Sequence, residues 1–143
     1  GHINFTKADI TFDGDAISTG NFIVDMTSIS VDDISGGGKN RLESHLKDDD
    51  FFSVDKFNNA ELEILKKSEM IDNKYLVDAD LTIKGITNPI TFEMTQVEDG
   101  SYKAILIFDR SKYNVQYRSG SFFENLGDRL ILDDVELEVT LVK

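Results

Sequence analysis

Few residues in this sequence have the types and spacing that covalent chemistry needs, and each candidate fails on its neighbours. Gly36-Gly37-Gly38-Lys39 invites a phosphate-cradling loop, but that loop requires Gly at position 33 and Ser or Thr at position 40. Asp33 and Asn40 stand there instead. There are two histidines, and a serine-histidine-aspartate relay would have to use His45; no Gly-x-Ser-x-Gly elbow accompanies it. A zinc site needs three or four His, Cys or carboxylate ligands, and no spaced His pair exists. Asp48-Asp49-Asp50 could grip a hard cation, yet no EF-hand spacing surrounds it, and three consecutive acids read as a solvated turn. The absence of Cys removes thiolate and disulfide chemistry. Glu61, Glu63, Glu136 and Glu138 alternate with apolar residues, which assigns them to an outer face. They could not converge as the carboxylate pair of a glycosidase does.

Alternation of period two dominates the rest of the chain, the pattern of strands with one buried face. Ile3 and Phe5 alternate, then Ile10 and Phe12, with an irregularity near Lys7-Ala8. Phe22, Val24 and Met26 share a face of a strand from about Ser18 to Val31. Leu62 and Ile64 follow Ala60, and Tyr75, Val77, Ala79, Leu81 and Ile83 form the cleanest run. Ile90, Phe92 and Met94 repeat the scheme, as do Tyr102, Ala104, Leu106 and Phe108, and finally Val135, Leu137, Val139 and Leu141. Asp13-Gly14-Asp15, Asp72-Asn73, Asn88-Pro89, Asp99-Gly100 and Gly127-Asp128 read as turns. About seven strands joined by short turns predict an all-β antiparallel barrel or sandwich, and a closed barrel would leave no exposed edge.

Residues 32–57 break the pattern. Ser35-Gly36-Gly37-Gly38 reads as a flexible turn, with Asn40 capping a short helix from Arg41 to about Lys47. Leu42, His45 and Leu46 would share one face of that helix, where His45 reads as a hydrogen-bonded structural residue. Phe51-Phe52 and Val54 follow. Such a segment is too short for a domain and reads as a lid over one end of the barrel. Phe122-Phe123 forms a second aromatic cluster outside the strands.

Composition narrows the function further. The 143 residues suffice for one core and are too few for two ordinary domains. With 27 acidic against 15 basic residues the formal charge is −12, which argues against nucleic acid and against docking on anionic membranes. No apolar run approaches the roughly 18–20 residues that span a bilayer, so stable membrane insertion is not expected. The inward apolar stripe fits either an ordinary filled core or a ligand cavity, since barrels of about eight strands can enclose one. Periodicity does not separate the two.

Several ordered motifs resemble one family. The run Asn40-Arg41-Leu42-Glu43-Ser44-His45-Leu46-Lys47-Asp48-Asp49-Asp50-Phe51-Phe52-Ser53-Val54-Asp55-Lys56-Phe57 resembles the His-Leu, Asp-Phe-Phe, Val-x-Lys segment of the YceI-like family. Asn58-Asn59-Ala60 stands where that family usually has a Pro. Asp80-Leu81-Thr82-Ile83-Lys84-Gly85-Ile86-Thr87-Asn88-Pro89-Ile90 is similar to its conserved hairpin. Phe108-Asp109-Arg110-Ser111-Lys112-Tyr113-Asn114 is similar to its Arg-containing segment, with Asn114 where Gly is common, and Asp134-Val135-Glu136-Leu137 to its final strand. Tyr117-Arg118-Ser119-Gly120-Ser121-Phe122-Phe123 resembles members from Bacteroidetes-type bacteria.

The resemblance implies an extended, lipocalin-like antiparallel barrel with a long tunnel, binding polyisoprenoids, isoprenoid quinones or a fatty-acid-like amphiphile without catalysis. It implies export to the bacterial periplasm, although no leader is visible. It also implies a further strand before the position of His2; without one, the barrel opens or leaves room for a neighbouring chain, as in a homodimer. On this reading Phe22, Val24, Met26, Leu62, Ile64, Val77, Leu81, Ile83, Phe92, Met94, Leu106 and Phe108 line the tunnel. Leu42, Leu46, Phe51 and Phe52 gate one end, and Arg110 braces the barrel or a ligand head group. The alternative is a structural or interaction module whose side chains fill the barrel.

Overall fold

In the computed structural model the alternating runs become eight strands of one sheet. It describes residues 1–32, 37–49, 51–97, 100–117, 119–122, 124, 126–127 and 132–141. The strands are β1 (His2–Asp13), β2 (Ala16–Ser30), β3 (Asn59–Ile64), β4 (Met70–Ile71), β5 (Lys74–Ile83), β6 (Ile86–Gln96), β7 (Tyr102–Asp109) and β8 (Asp134–Leu141). A helix, α1 (Gly37–Lys47), follows β2, and a 3₁₀ turn, η1 (Arg110–Tyr113), follows β7. Neighbours run β1-β2-β3-β5-β6-β7-β8, all antiparallel, with β4 hydrogen-bonded to β5 alone. Among the described residues no ladder joins β1 to β8. The sheet is therefore a curled half-barrel with two edges: of the barrel and the sandwich that alternation allowed it is the barrel, open rather than closed.

Bulges keep the apolar residues on one face. Phe5 and Ile10 are five apart, an odd spacing that would set them on opposite faces of a regular strand. A register shift between Phe5 and Lys7 inserts the extra residue that realigns them. Ile17 and Phe22 pose the same problem on β2, and the shift between Thr11 and Phe12 places the extra residue at Ser18. Gly20 lies on the inner face opposite Ile64; a Cβ there would sit 2.9 Å from Ile64 Cδ1, so the absent side chain makes room for that isoleucine.

The turns follow backbone chemistry. Asp72 (φ 55°) and Asn73 (φ 63°) are both left-handed, as the two-residue β4–β5 hairpin requires. Lys84 (φ 52°) and Gly85 (φ 74°) make the β5–β6 turn in the same way. Asn88-Pro89, expected as a turn, instead lies inside β6, where Pro89 faces Asp80. Counting from the closing Ile83–Ile86 pair, Pro89 occupies a non-hydrogen-bonded position, so its missing N–H is on the side away from β5. The β6–β7 ladder begins only at Glu93, so no bond is lost there.

The helix begins at Gly37, earlier than expected, so Gly37 and Gly38 are helical and Asn40 is an internal residue rather than its cap. Ser35, Gly36, Asp50, Asp99, Arg118, Phe123 and Asp128 fall outside the described residues.

Candidate functional site

Inner side chains gather into two clusters stacked along the half-barrel. The first packs Ile17, Phe22, Ile64, Tyr75, Val77, Ala79, Phe92, Met94, Tyr102, Ala104 and Leu106. Here the curl brings the two sides of the sheet together, because Phe12 of β1 stacks on Tyr102 of β7 with centroids 5.7 Å apart. Polar bonds seal this end. The Tyr75 hydroxyl donates to Asp15 O at 2.6 Å, Ile17 and Ser68 exchange backbone bonds at 2.8 Å, and Ser68 Oγ donates to Leu76 O at 2.7 Å. Burial pushes the Tyr75 phenol above its usual pKa.

The second cluster packs Met26, Phe51, Val54, Ala60, Leu81, Ile83, Phe108, Tyr113 and Val115 beneath the α1 segment. Leu46 and Phe52 are half-buried against it. His45, expected as a structural residue, packs its ring edge-on to Tyr117 (4.3 Å) and Phe51 (5.3 Å). The Glu43 carboxylate accepts a 2.9 Å bond from Val31 N, which together with Lys39 holds its pKa below the usual carboxylate range.

Between the clusters the interior stays partly open. Leu62, Ile90 and Leu137, from β3, β6 and β8, contact both clusters and are only half-buried. Val24, opposite Ala60, is half-buried against the second cluster. Phe5, paired with Val24 and 5.9 Å from Phe22, is on the inner face yet 39% exposed. Ala60, Ala79 and Ala104 are the small side chains of the inner rows. Apolar groups on the concave face of a sheet are ordinarily fully covered; these are half-buried in a sheet where, among the described residues, no ladder joins β1 to β8. The result is a partly exposed apolar level of the concave face, a shallow groove between the two clusters whose described lining is aliphatic.

Arg110 anchors the chain beside the groove. Asp109 starts η1 by accepting from Ser111 N at 2.9 Å, and Asn114 ends it in the left-handed conformation (φ 61°), which Asn tolerates nearly as Gly does. The Arg110 guanidinium, 1% exposed, donates to Leu132 O (3.1 Å), Val115 O (2.9 Å) and Tyr117 O (2.9 Å) and lies over the Phe51 ring at 5.3 Å. Burial lowers its pKa while Asp133 and Asp109 raise it. Asp133 is held in turn by the hydroxyls of Ser119 and Ser121. Three backbone acceptors make this residue a brace of the loop after β7.

Of the residues expected to line a tunnel, Phe22, Ile64, Val77, Phe92, Met94 and Leu106 lie in the first cluster, and Met26, Leu81, Ile83 and Phe108 in the second. Leu62 lines the accessible level, and Val24 is half-buried against the second cluster. Of the expected gate, Phe51 is buried, Leu46 and Phe52 are half-buried, and Leu42 is 40% exposed and in neither cluster, because the helix turns that side to solvent. Asp49 accepts from Ser53 Oγ at 2.7 Å and pairs with Lys56 at 3.6 Å. Sequence reasoning left Ile90 and Leu137 out of the lining, although both continue stripes it identified. Phe5 was hidden by the bulge, and Tyr113 and Val115 carry no periodic signal.

A curled, open antiparallel sheet with an apolar concave face and a helical cap defines a lipocalin-like half-barrel. The YceI-like domain matches residues 1–143, and the chain belongs to that family. Among solved structures it is similar to BcnA of Burkholderia cenocepacia, with a TM-score of 0.75 and 22% identity over 96% of this chain and 82% of that one. The YCEI protein of Campylobacter jejuni gives a TM-score of 0.70 and 21% identity, over 98% and 82% of the two chains. A UPF0312 protein of Vibrio parahaemolyticus is 29% identical over 103 residues, which is 71% of this chain and 51% of the relative. A UPF0312 protein of Vibrio campbellii matches to the same extent, so the chain spans about half the length of these curated relatives.

Proposed function

We propose that the chain binds a long-chain isoprenoid or similar amphiphilic lipid along its inner face, as a non-enzymatic carrier or store acting in the periplasm. The observation that carries this is the accessible mid-level, where half-buried Leu62, Ile90 and Leu137 join two apolar clusters. Membership of the YceI-like family supports it. The driving force would be partition: each five-carbon prenyl unit withdrawn from water contributes roughly 3–4 kcal/mol gross, at about 0.8 kcal/mol per methylene. Ordering the lipid offsets part of that.

Native mass spectrometry after gentle purification tests the proposal. A co-purifying lipid of several hundred daltons, or uptake of added polyprenyl lipid, is the expected result. A clean apo mass with no uptake would overturn it and leave a filled-core module.

A further inference from the structure

The outer face of the sheet is largely polar, but across β5–β8 its acids are interleaved with large aliphatic side chains. The registers set Leu76, Glu93, Ile105 and Glu138 in one row over four strands. Two residues along β7, Ile107 faces Glu136. Leu76, Ile105 and Ile107 are 66%, 55% and 57% exposed. They cannot turn inward, since Ala104, Leu106 and Phe108 hold the other face of β7 in the core, as Tyr75 and Val77 do on β5, and a slip would reverse both faces. One exposed isoleucine is ordinary. Here Ile105 and Ile107 adjoin on β7, Leu76 stands in the same row across Glu93, and Leu76 and Ile71 share an open depression of about 400 Å³ with Lys67, Ser68, Glu69, Lys74, Tyr75 and Glu93.

We propose that the outer face of β5–β8 is a docking surface for a protein partner presenting aliphatic side chains flanked by Lys or Arg. Charge complementarity selects this occupant. Glu93, Glu136 and Glu138 frame the isoleucines, and among the described residues none of the three is in an ion pair. A second copy docked face to face would set the same carboxylates against one another. An anionic lipid surface would be repelled by a chain of formal charge −12. The adjacent row holds Lys74, Thr95, Lys103 and Thr140. Lys74 and Lys103 thus set cations along one end of the surface, which gives a bound partner a direction. The face is opposite the groove, so docking there leaves the groove uncovered.

The test is a titration of isotope-labelled protein with an amphipathic leucine–lysine peptide at physiological ionic strength, beside an all-lysine peptide of equal charge. Amide shift changes should centre on Leu76, Glu93, Ile105, Ile107 and Glu138. The Ile105→Thr/Ile107→Thr pair, which keeps β-forming residues, should raise the peptide Kd at least about tenfold. Glu93→Gln/Glu138→Gln should weaken binding as well, and Glu61→Gln/Glu63→Gln on another part of the outer face should leave it unchanged. Equal binding of the all-lysine peptide, shifts centred on the inner face, or unchanged affinity in the isoleucine pair would each overturn the proposal.

Discussion

Arg110→Met keeps most of the side-chain volume and removes every hydrogen-bond donor, so it isolates the bracing role. The bond to Val115 O is fully buried, and an acceptor stranded there costs about 1–3 kcal/mol. Leu132 O and Tyr117 O are partly accessible and regain water, so each loses about 0.5–1.5 kcal/mol. The contact over Phe51 contributes about 0.5–2 kcal/mol more. Releasing a buried charge offsets part of the total. The expected net loss is about 2–4 kcal/mol, a large share of the ~5–15 kcal/mol that holds an ordinary domain. Urea unfolding should show it as a lower midpoint at unchanged slope. Amide exchange should accelerate first at Val115 and Tyr117, ahead of β5. Arg110→Lys should recover only part, since an ammonium cannot reach three carbonyls in the plane of a fork. An unchanged midpoint would refute the bracing argument. Loss of lipid uptake at an unchanged midpoint would assign Arg110 to the ligand instead.

Ala79→Leu separates an open interior from a filled one: with mid-level space it should lower lipid uptake at little cost, whereas in a filled core it should destabilise by about 1–3 kcal/mol, read from the same urea midpoint. Hydrogen bonds from Ser119 and Ser121, with a smaller part from Arg110, hold the Asp133 pKa below 3.8 against the opposing effect of burial. Its folded value is below its unfolded one, so its stabilisation is complete above about pH 3.8 and is lost as the pH falls through the lower folded value. Thermal unfolding followed down through that range should show a steeper loss for the parent protein than for Asp133→Asn, and parallel curves would contradict the assignment. Tyr75→Phe removes the donor to Asp15 O and should cost about 0.5–1.5 kcal/mol in chemical denaturation, with faster exchange confined to the β1–β2 hairpin.

Strand content was legible because period two survives wherever one face is buried. Val77, Leu81 and Ile83 needed no correction for that reason. The limits of alternation show at Ile17, where one inserted residue reverses the face unannounced, whereas the irregularity expected near Lys7-Ala8 is the bulge found between Phe5 and Lys7. Pro89 was misleading for a related reason: Pro marks turns, yet it is equally at home in a strand wherever the missing N–H would meet no partner. The helix start was misplaced because two glycines read as a breaker, although the first N–H groups of a helix have no intrahelical partner in any case. Ile90 and Leu137 were visible as members of stripes, but their half-burial belongs to a sheet in which, among the described residues, no ladder joins β1 to β8. That gap is a property of pairing, and pairing between strands at the two ends of a chain leaves no periodic trace in either.

The two ends of the groove differ in how they can open. At the β1–β2 hairpin, separation must break the reciprocal Ile17–Ser68 bonds and the Tyr75–Asp15 bond, all short and joining different strands. At the other end, α1 has no fully buried residue and rests through His45, Leu46 and the Glu43–Val31 bond. Opening free energy follows the apolar contacts and hydrogen bonds that must be given up, so the helix end opens at lower cost than the sheet beneath it. Phe51 limits that motion: its ring touches His45 and Tyr117, while Arg110 lies over it and grips the following loop. Phe52 N and Val54 N donate to Leu46 O and Lys47 O, which ties the end of the helix to the Phe51 segment, and Phe51 cannot leave without exposing the guanidinium that holds Val115 and Leu132. On the proposed reading, a lipid chain that enters at the helix end rather than between β1 and β8 must pass an aromatic ring that stays.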